Sequence, residues 1–253
     1  MVIAIIALLM AILMPCLQRV RKQAKAIGCR SNLRQWGVWI NADAAENDGL
    51  LDPDGRKFSF RSDPHEGNLT WPEQRFQCPA ASRLEPDGTM VDSEGYRYTR
   101  GSAFTATWRQ WPEGQILAFT YAWNALLRPY NGPIQPPPYM RWWEEKGRAP
   151  ASIPVIFDSP GIFAELRSAA SKKGPPLVDD GRGPHAPWNY LCFNRHEGGL
   201  NYLFLDWSVR EVGVKELWTL TWSEDFDKAG PWTTAGGVAP EDWPGWMRKF
   251  RDY

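Results

Sequence analysis

The first seventeen residues, MVIAIIALLMAILMPCL, carry no charge, and the first strongly polar positions are Gln18 and Arg19. Ile, Leu, Met, Val and Ala fill this run, with a single proline, Pro15, near its end. As a helix it spans roughly 25 Å at about 1.5 Å per residue, slightly less than the ~20 apolar residues of a bilayer crossing. The pattern then becomes amphipathic. Leu17, Val20, Ala24 and Ile27 recur at spacings of three and four, and Leu33, Trp36, Ile40 and Ala44 make a second such set. At about 100° per residue the two stripes lie on nearly opposite sides of one helix, with the switch around Gly28 to Ser31. The first half is therefore expected to face other helices or lipid, and the second to pack on its own head. A kink at Gly28 that realigns the stripes is the alternative. Pro15 removes one helical hydrogen bond and is a second place for a kink. The helix is expected to stop at the turn signal Asn47-Asp48-Gly49.

Past that point the periodicity is weak. Residues 50–112 read as loop, punctuated by DPDG, SDPHEG and EGYRYTRG. Residues 115–123 (QILAFTYAW) and 153–158 (IPVIFD) read as strands, and 141–148 (RWWEEKGR) as a short helix. Three more short strands are expected at 189–193, 201–206 and 208–212, the last two forming a tight hairpin. A helical turn follows at 214–220, and a tryptophan-rich tail closes the chain. No internal repeat is evident.

Composition narrows the function classes. Lys plus Arg balance Asp plus Glu at 29 each, which disfavours a nucleic-acid partner, since such proteins carry a basic surplus. Mean hydropathy is −0.46 despite the apolar start, so the remainder is a water-soluble body. The 22 prolines and 22 glycines predict short elements joined by many turns, and the 15 tryptophans can build a core from few residues. Cys16, Cys29, Cys78 and Cys192 form no CxxC pair. Cys16 reads as a core or lipid-facing thiol. An extracytoplasmic head permits a disulfide, for which Cys29–Cys78 is preferred, with Cys78–Cys192 and three free thiols left open. A cleaved signal peptide is disfavoured, because no basic region precedes the apolar run and no small-x-small site follows it. Lipid attachment is disfavoured too: Pro15 precedes Cys16, and a charged segment precedes Cys29.

Two separated stretches resemble one family. VIAIIALLMAILMP, followed by a basic helix with CRSNLRQWG, resembles the N-terminal helix of type IV pilin-like proteins, in particular type II secretion pseudopilin-like ones. NRHEGGLNYLFLDWSV resembles the C-terminal H-x9-D-G motif of planctomycete-type prepilin-like proteins, carried by His196 and Asp206. RFQCPAA and IPVIFDS are similar to short blocks from the middle of that family. The resemblance covers about the first fifty residues and 150–213. It implies prepilin-type N-terminal processing and methylation. Family members begin with a basic leader, a Gly-Phe cleavage site and a glutamate early in the mature helix, none of which precedes the apolar block here. Trp207 stands where the family has glycine, and tryptophan resists the positive φ of an Asp-Gly turn, so a different turn or a bulge is expected.

Candidate chemistry concentrates in the same block. His196 and Asp206, on adjacent strands, are expected close enough to hydrogen-bond or to share a metal, with Asp158 at a strand end as a third member and Asn194 and Asn201 alongside. The preferred reading is a buried hydrogen-bonded tie between the hairpin and its neighbour, with Gly198 and Gly199 making the turn before the strand. One histidine is thin for zinc. Calcium is the cation that carboxylates and carbonyls would hold; otherwise no cofactor is expected. A triad of Asp158, His196 and Ser159 lacks a nucleophile elbow, and no phosphate-binding loop occurs, so no enzyme is expected. His65 and His185 sit in polar loops, and the adjacent Glu144 and Glu145 point apart, as surface residues do. A platform of Trp108, Trp111, Trp123, Trp142, Trp143, Trp218, Trp222, Trp232, Trp243 and Trp246 is the carbohydrate-binding alternative, with core plugs as the preferred role.

The expected architecture is α+β. Residues 1–17 form a transmembrane or assembly segment and 18–48 its amphipathic continuation. Residues 49–253 form a head with a small antiparallel sheet and long loops. The expected protein is a structural subunit of a pilus-like or pseudopilus-like assembly, single-pass in the inner membrane. Its partners are like subunits and lipid, with the head free for a glycan or a secreted protein. The basic residues from Arg19 to Arg34 read as a solvated face or as contacts to lipid headgroups, and by the positive-inside tendency they belong in the cytoplasm. The resemblance puts them and the head outside, and that orientation is followed here. The reading predicts that DNA upstream of Met1 encodes, in frame, a basic leader and a segment like Gly-Phe-Thr-Leu-Ile-Glu-Leu-Leu; genomic sequencing that finds a stop codon there overturns it.

Overall fold

The computed structural model describes residues 2–47, 51, 77–81, 90–91, 97–99, 101–110, 116–127, 147–161, 163–181 and 187–253. Its first element is a single helix, α1 (Val2–Glu46), with Pro15 inside it. The helix ends where the sequence supplies Asn47, whose side-chain amide donates to the Asp43 carbonyl at 2.7 Å and whose backbone N–H reaches Ala44 at 3.1 Å.

The two stripes have different fates. Ala26, Cys29, Leu33, Trp36, Ile40 and Ala44 are buried, so the second half packs on the head as expected. Leu17, Val20 and Ile27 are exposed, as are Ile3, Leu9, Ile12 and Leu13. The change falls at Ala26 within one continuous helix. Among the described residues no helix is long and apolar enough to cross a membrane.

Among the described residues nine strands form two sheets instead of the single small one expected. β1 (Met90–Val91), β2 (Arg97–Thr99), β3 (Thr107–Gln110) and β4 (Ile116–Phe119) make an antiparallel meander in chain order. β5 (Tyr121–Asn124), β6 (Pro154–Asp158), β7 (Phe163–Ala164), β8 (Gly199–Phe204) and β9 (Val209–Gly213) make the second sheet, in the order β7-β5-β6-β8-β9. Only the β5–β7 pair is parallel there. Strands β1 to β3 lie within the stretch read as loop; at two to four residues they are too short to show a period. The run 115–123 is two strands, because the chain changes sheets at Thr120. The strand expected at 189–193 is instead a 3-10 turn, Pro187–Tyr190, opened by a proline that suits a first helical turn. The turn expected at 214–220 is present as Glu216–Thr219. The helix read at 141–148 and the residues His65, Trp111, Trp142, Trp143, Glu144, Glu145 and His185 fall wholly or mostly outside the described residues.

The second sheet is covered on both faces. Tyr121, Trp123, Val155 and Leu203 face α1, whereas Ala122, Phe157, Leu200, Tyr202 and Phe204 face the C-terminal tail. That alternation explains why β8 is buried at every position. The helix approaches β8 closely at Gly37, where a Cβ would stand 2.9 Å from Leu203 Cδ1. On the other face Trp188 stacks on Trp218 with ring centroids 4.2 Å apart, and Trp222 and Trp243 are buried beside them. Trp123, Trp218, Trp222 and Trp243 are therefore core and cannot stack on a sugar.

The β8–β9 hairpin contains a bulge, as expected from tryptophan in place of glycine, although Trp207 itself takes the positive φ. Trp207 adopts φ +65° itself, at the third position of a three-residue loop closed by Trp207 N–H to the Phe204 carbonyl at 2.9 Å. This is the form in which a turn is followed by a left-handed residue that makes a bulge. Asp206 supports it by accepting from the Ser208 N–H at 3.0 Å and its hydroxyl at 2.6 Å.

The split helix yields a direct test. Leu33→Ala, at a fully buried position of the half that packs on the sheet, should lower the stability of the head by about 2–5 kcal/mol in urea unfolding. Leu17→Ala, on the exposed half, should change it by less than about 0.5 kcal/mol.

Candidate functional site

Beneath the helix, at the end of β6, a set of polar side chains is buried where the surrounding sequence is apolar. Asp158 is the last residue of β6 and is fully buried. Its register partner on β5 is Tyr121, and on its other side β8 supplies the Asn201 N–H, which donates to Oδ2 at 2.8 Å. The next chain segment brings two cations. Arg195 Nη1 lies 2.9 Å from Oδ1, and His196 Nε2 lies 3.2 Å from Oδ2. The turn that places them needs a left-handed backbone at Glu197 (φ +60°) and Gly198 (φ +101°), and the Asn194 Oδ1 accepts from the Gly198 N–H at 2.8 Å. Gly199 opens β8, where a Cβ would collide with the Glu211 side chain.

The helix and one loop close the cluster from above. Cys29 points down from α1, its Sγ 3.3 and 3.5 Å from the two Asp158 oxygens, and the Tyr121 hydroxyl lies 3.3 Å from the same sulfur. Cys78 enters from residues 77–81, with its Sγ 3.5 Å from His196 Nε2. That loop is anchored on three sides. Asn32 of α1 donates to the Gln77 carbonyl at 2.8 Å, Gln77 donates to the Ala118 carbonyl at 3.3 Å, and the Cys78 N–H reaches the Thr120 hydroxyl at 2.6 Å.

Arg195 is the residue that sequence reading missed, because a basic residue in a polar loop looks solvated. Its guanidinium is fully buried and donates to the carbonyls of Ala103 at 2.8 Å, Thr120 at 2.9 Å and Ser102 at 3.2 Å, besides Asp158. It thereby joins the end of the meander to the second sheet. Asp158 and His196, both singled out from the sequence, do come together. Asp206 does not join them: it is exposed at the far end of β8, a strand of six residues and about 20 Å away. Ser159 turns aside and donates to the Tyr190 carbonyl at 2.7 Å. Cys29 and Cys78, the preferred disulfide pair, meet here as free thiols. Cys192 is buried elsewhere, against Val214 and Met247, and Cys16 is exposed on the helix.

The charges in this cluster sustain one another. Burial would push the Asp158 carboxyl up, but His196 and Arg195 outweigh it and hold it well below the usual carboxylate range. Burial would lower His196, but the Asp158 charge and hydrogen bond raise it to about 10. The Cys78 thiol is raised by burial and lowered by its hydrogen bond to Cys29, then by His196 and Arg195, and comes down to about 6. Cys29 is pushed up by burial and by its contact with Cys78. The set therefore holds a Cys78 thiolate, a His196 imidazolium, an Asp158 carboxylate and the Arg195 guanidinium near neutral pH. A nucleophile–base–acid relay places the thiol and the carboxylate on different ring nitrogens. Here both meet Nε2, and all these groups lie out of solvent, so the geometry suits a structural or ligating cluster.

The paired shifts set the pH response. His196, raised above its ordinary 6.5, contributes stability that is full below about pH 6.5 and lost as pH rises through about 10. Cys78, lowered from its ordinary 9.0, contributes stability that is full above about pH 9 and lost as pH falls through about 6. Between those limits the folded pair holds one proton on His196 and the unfolded pair holds one on Cys78, so the two slopes cancel. In Cys78→Ser only the His196 slope remains. Its stability should fall by on the order of 1 kcal/mol per unit between about pH 7 and 8.5, where the unsubstituted protein stays nearly flat in urea titrations.

No family model, curated protein or solved structure matches this chain.

Proposed function

We propose that this chain is a structural subunit that assembles with like subunits through the exposed half of α1, in a type IV pilus-like or type II secretion pseudopilus-like assembly. The observation that carries the reading is the division of one continuous helix. From Ala26 onward its apolar stripe is buried on the sheet, whereas Ile3, Ile6, Leu9, Ile12, Leu13 and Leu17 are each about half exposed or more. An apolar surface of that extent marks an interaction site. The twenty residues ahead of Lys22, whose Nζ lies 3.0 Å from Glu197 on the head, project about 30 Å. Such a projection suits a bundle of parallel helices, with heads arrayed on the outside.

In this reading the apolar run sits in the inner membrane before assembly and the head lies outside the cytoplasm. Neighbouring helices then share the burial of its exposed apolar side chains. The pilin-like resemblance of CRSNLRQWG and NRHEGGLNYLFLDWSV supports the same class. Packing of helices, and not turnover of a substrate, is then the mechanism.

Cys16 offers the test, being the one exposed cysteine of the four and lying on the projecting half. In membranes from cells expressing the full chain, mild oxidation should join copies through Cys16, and Cys16→Ser should abolish the product. Leu9→Asp with Leu13→Asp should reduce it by more than about tenfold, because a carboxylate in an apolar contact costs more than about 1.4 kcal/mol. The thermal unfolding of the head should stay unchanged. Undiminished cross-linking in the aspartate variant, or none in the unsubstituted chain, defeats the proposal.

A further inference from the structure

The assembly role makes no use of the buried cluster under the helix. We propose that Cys29, Cys78, Asp158 and His196 form a closed, four-coordinate site for a zinc-type divalent ion. Each offers one donor atom, and all four donors lie within 4.8 Å of one another.

The spacing is that of ligands around a common centre. With bonds of about 2.3 Å to sulfur and about 2.0 Å to nitrogen or oxygen, tetrahedral edges are about 3.5 Å for sulfur to nitrogen or oxygen and about 3.3 Å for nitrogen to oxygen. The observed edges are 3.5 Å from Cys29 Sγ to Asp158 Oδ2, 3.5 Å from Cys78 Sγ to His196 Nε2, and 3.2 Å from His196 Nε2 to Asp158 Oδ2. His196 points one ring nitrogen at both a sulfur and a carboxylate oxygen. A single N–H cannot satisfy both well, whereas a lone pair aimed between them meets an ion.

Charge and support agree with this. Two thiolates and a carboxylate carry −3, which a divalent ion and the buried Arg195 neutralise. Arg195 holds Oδ1 and the Asn201 N–H holds Oδ2, the outer hydrogen bonds that orient a ligating carboxylate. Paired thiolates with an imidazole favour zinc over calcium, whose sites are built from oxygen alone. The donors come from α1, the 77–81 loop, the end of β6 and the turn before β8, so an ion would clamp the helix to the head. Burial on every side leaves no open position for a substrate, which is the character of a structural site.

The full chain, purified under reducing conditions and freed of metal with a chelator, should take up one equivalent of cobalt(II). Binding should give the visible absorption of four-coordinate cobalt with a near-ultraviolet thiolate band, and zinc should displace it and raise the thermal midpoint. Cys78→Ser should lose part of the thiolate intensity, since Cys29 remains as a ligand. His196→Gln, which keeps a hydrogen-bonding group beside Asp158, should bind cobalt more weakly by more than the roughly 10–100-fold lost on removing an outer partner. Cys192→Ser and Asp206→Asn should bind as the unsubstituted chain does. The assignment fails if the unsubstituted folded chain shows no thiolate band, or if the band survives in the Cys29→Ser/Cys78→Ser double variant. It also fails if the reduced, chelator-treated chain is found by mass spectrometry to hold Cys29 and Cys78 as a disulfide.

Discussion

Asp158 is a fully buried carboxylate, and the rest of the structure is arranged to make that burial tolerable. An isolated charge in a protein interior costs several kcal/mol or more unless it is paired and hydrogen-bonded. The chain answers with Arg195 on one oxygen, and with His196 and a β8 N–H on the other. Those partners determine where the segment before β8 must run. Through its remaining donors Arg195 also fixes the β2–β3 connection at Ser102 and Ala103 and the end of the meander at Thr120. Removing any member would leave another buried and unmatched, so the cluster acts as a single unit.

The same cluster explains how the helix is held. Hydrophobic burial of Leu33, Trp36 and Ile40 supplies a greasy face that could slide along the sheet, each side chain contributing about 1.5–3 kcal/mol. Cys29 over Asp158, Asn32 on the Gln77 carbonyl and Asn201 on the Ala26 carbonyl supply direction. Register comes from polar contacts and adhesion from apolar ones. Among the described residues, below Ala26 neither kind of contact exists beyond the exposed Lys22–Glu197 pair, and the helix projects with its apolar side chains uncovered.

Much of this was legible in the chain because the signals are local. The stripe Leu33, Trp36, Ile40 and Ala44 marks a helical face, IPVIFD marks a buried strand, and two short β segments around Asp206 and Trp207 mark a hairpin. Strands β1 to β3 were not legible, since two to four residues carry no usable period and their pairing depends on neighbours. The sequence argued that Trp207 would avoid a positive φ. The hairpin imposes it nonetheless, because the closure of the loop and the Asp206 bonds to Ser208 outweigh a local steric cost of about 1–2 kcal/mol.

Sequence alone determined the helix, the division of its two apolar faces, and the polar residues Asp158 and His196 at the ends of apolar strands. It also proposed Cys29 and Cys78 as a disulfide, whereas they meet as free thiols. Tertiary structure decided that these four converge, that Arg195 completes them and that Asp206 stands apart at the other end of β8. The reason is physical. Periodicity reports which face of an element is apolar, whereas the meeting of residues from four distant segments depends on how sheets and helix stack. No local pattern encodes that.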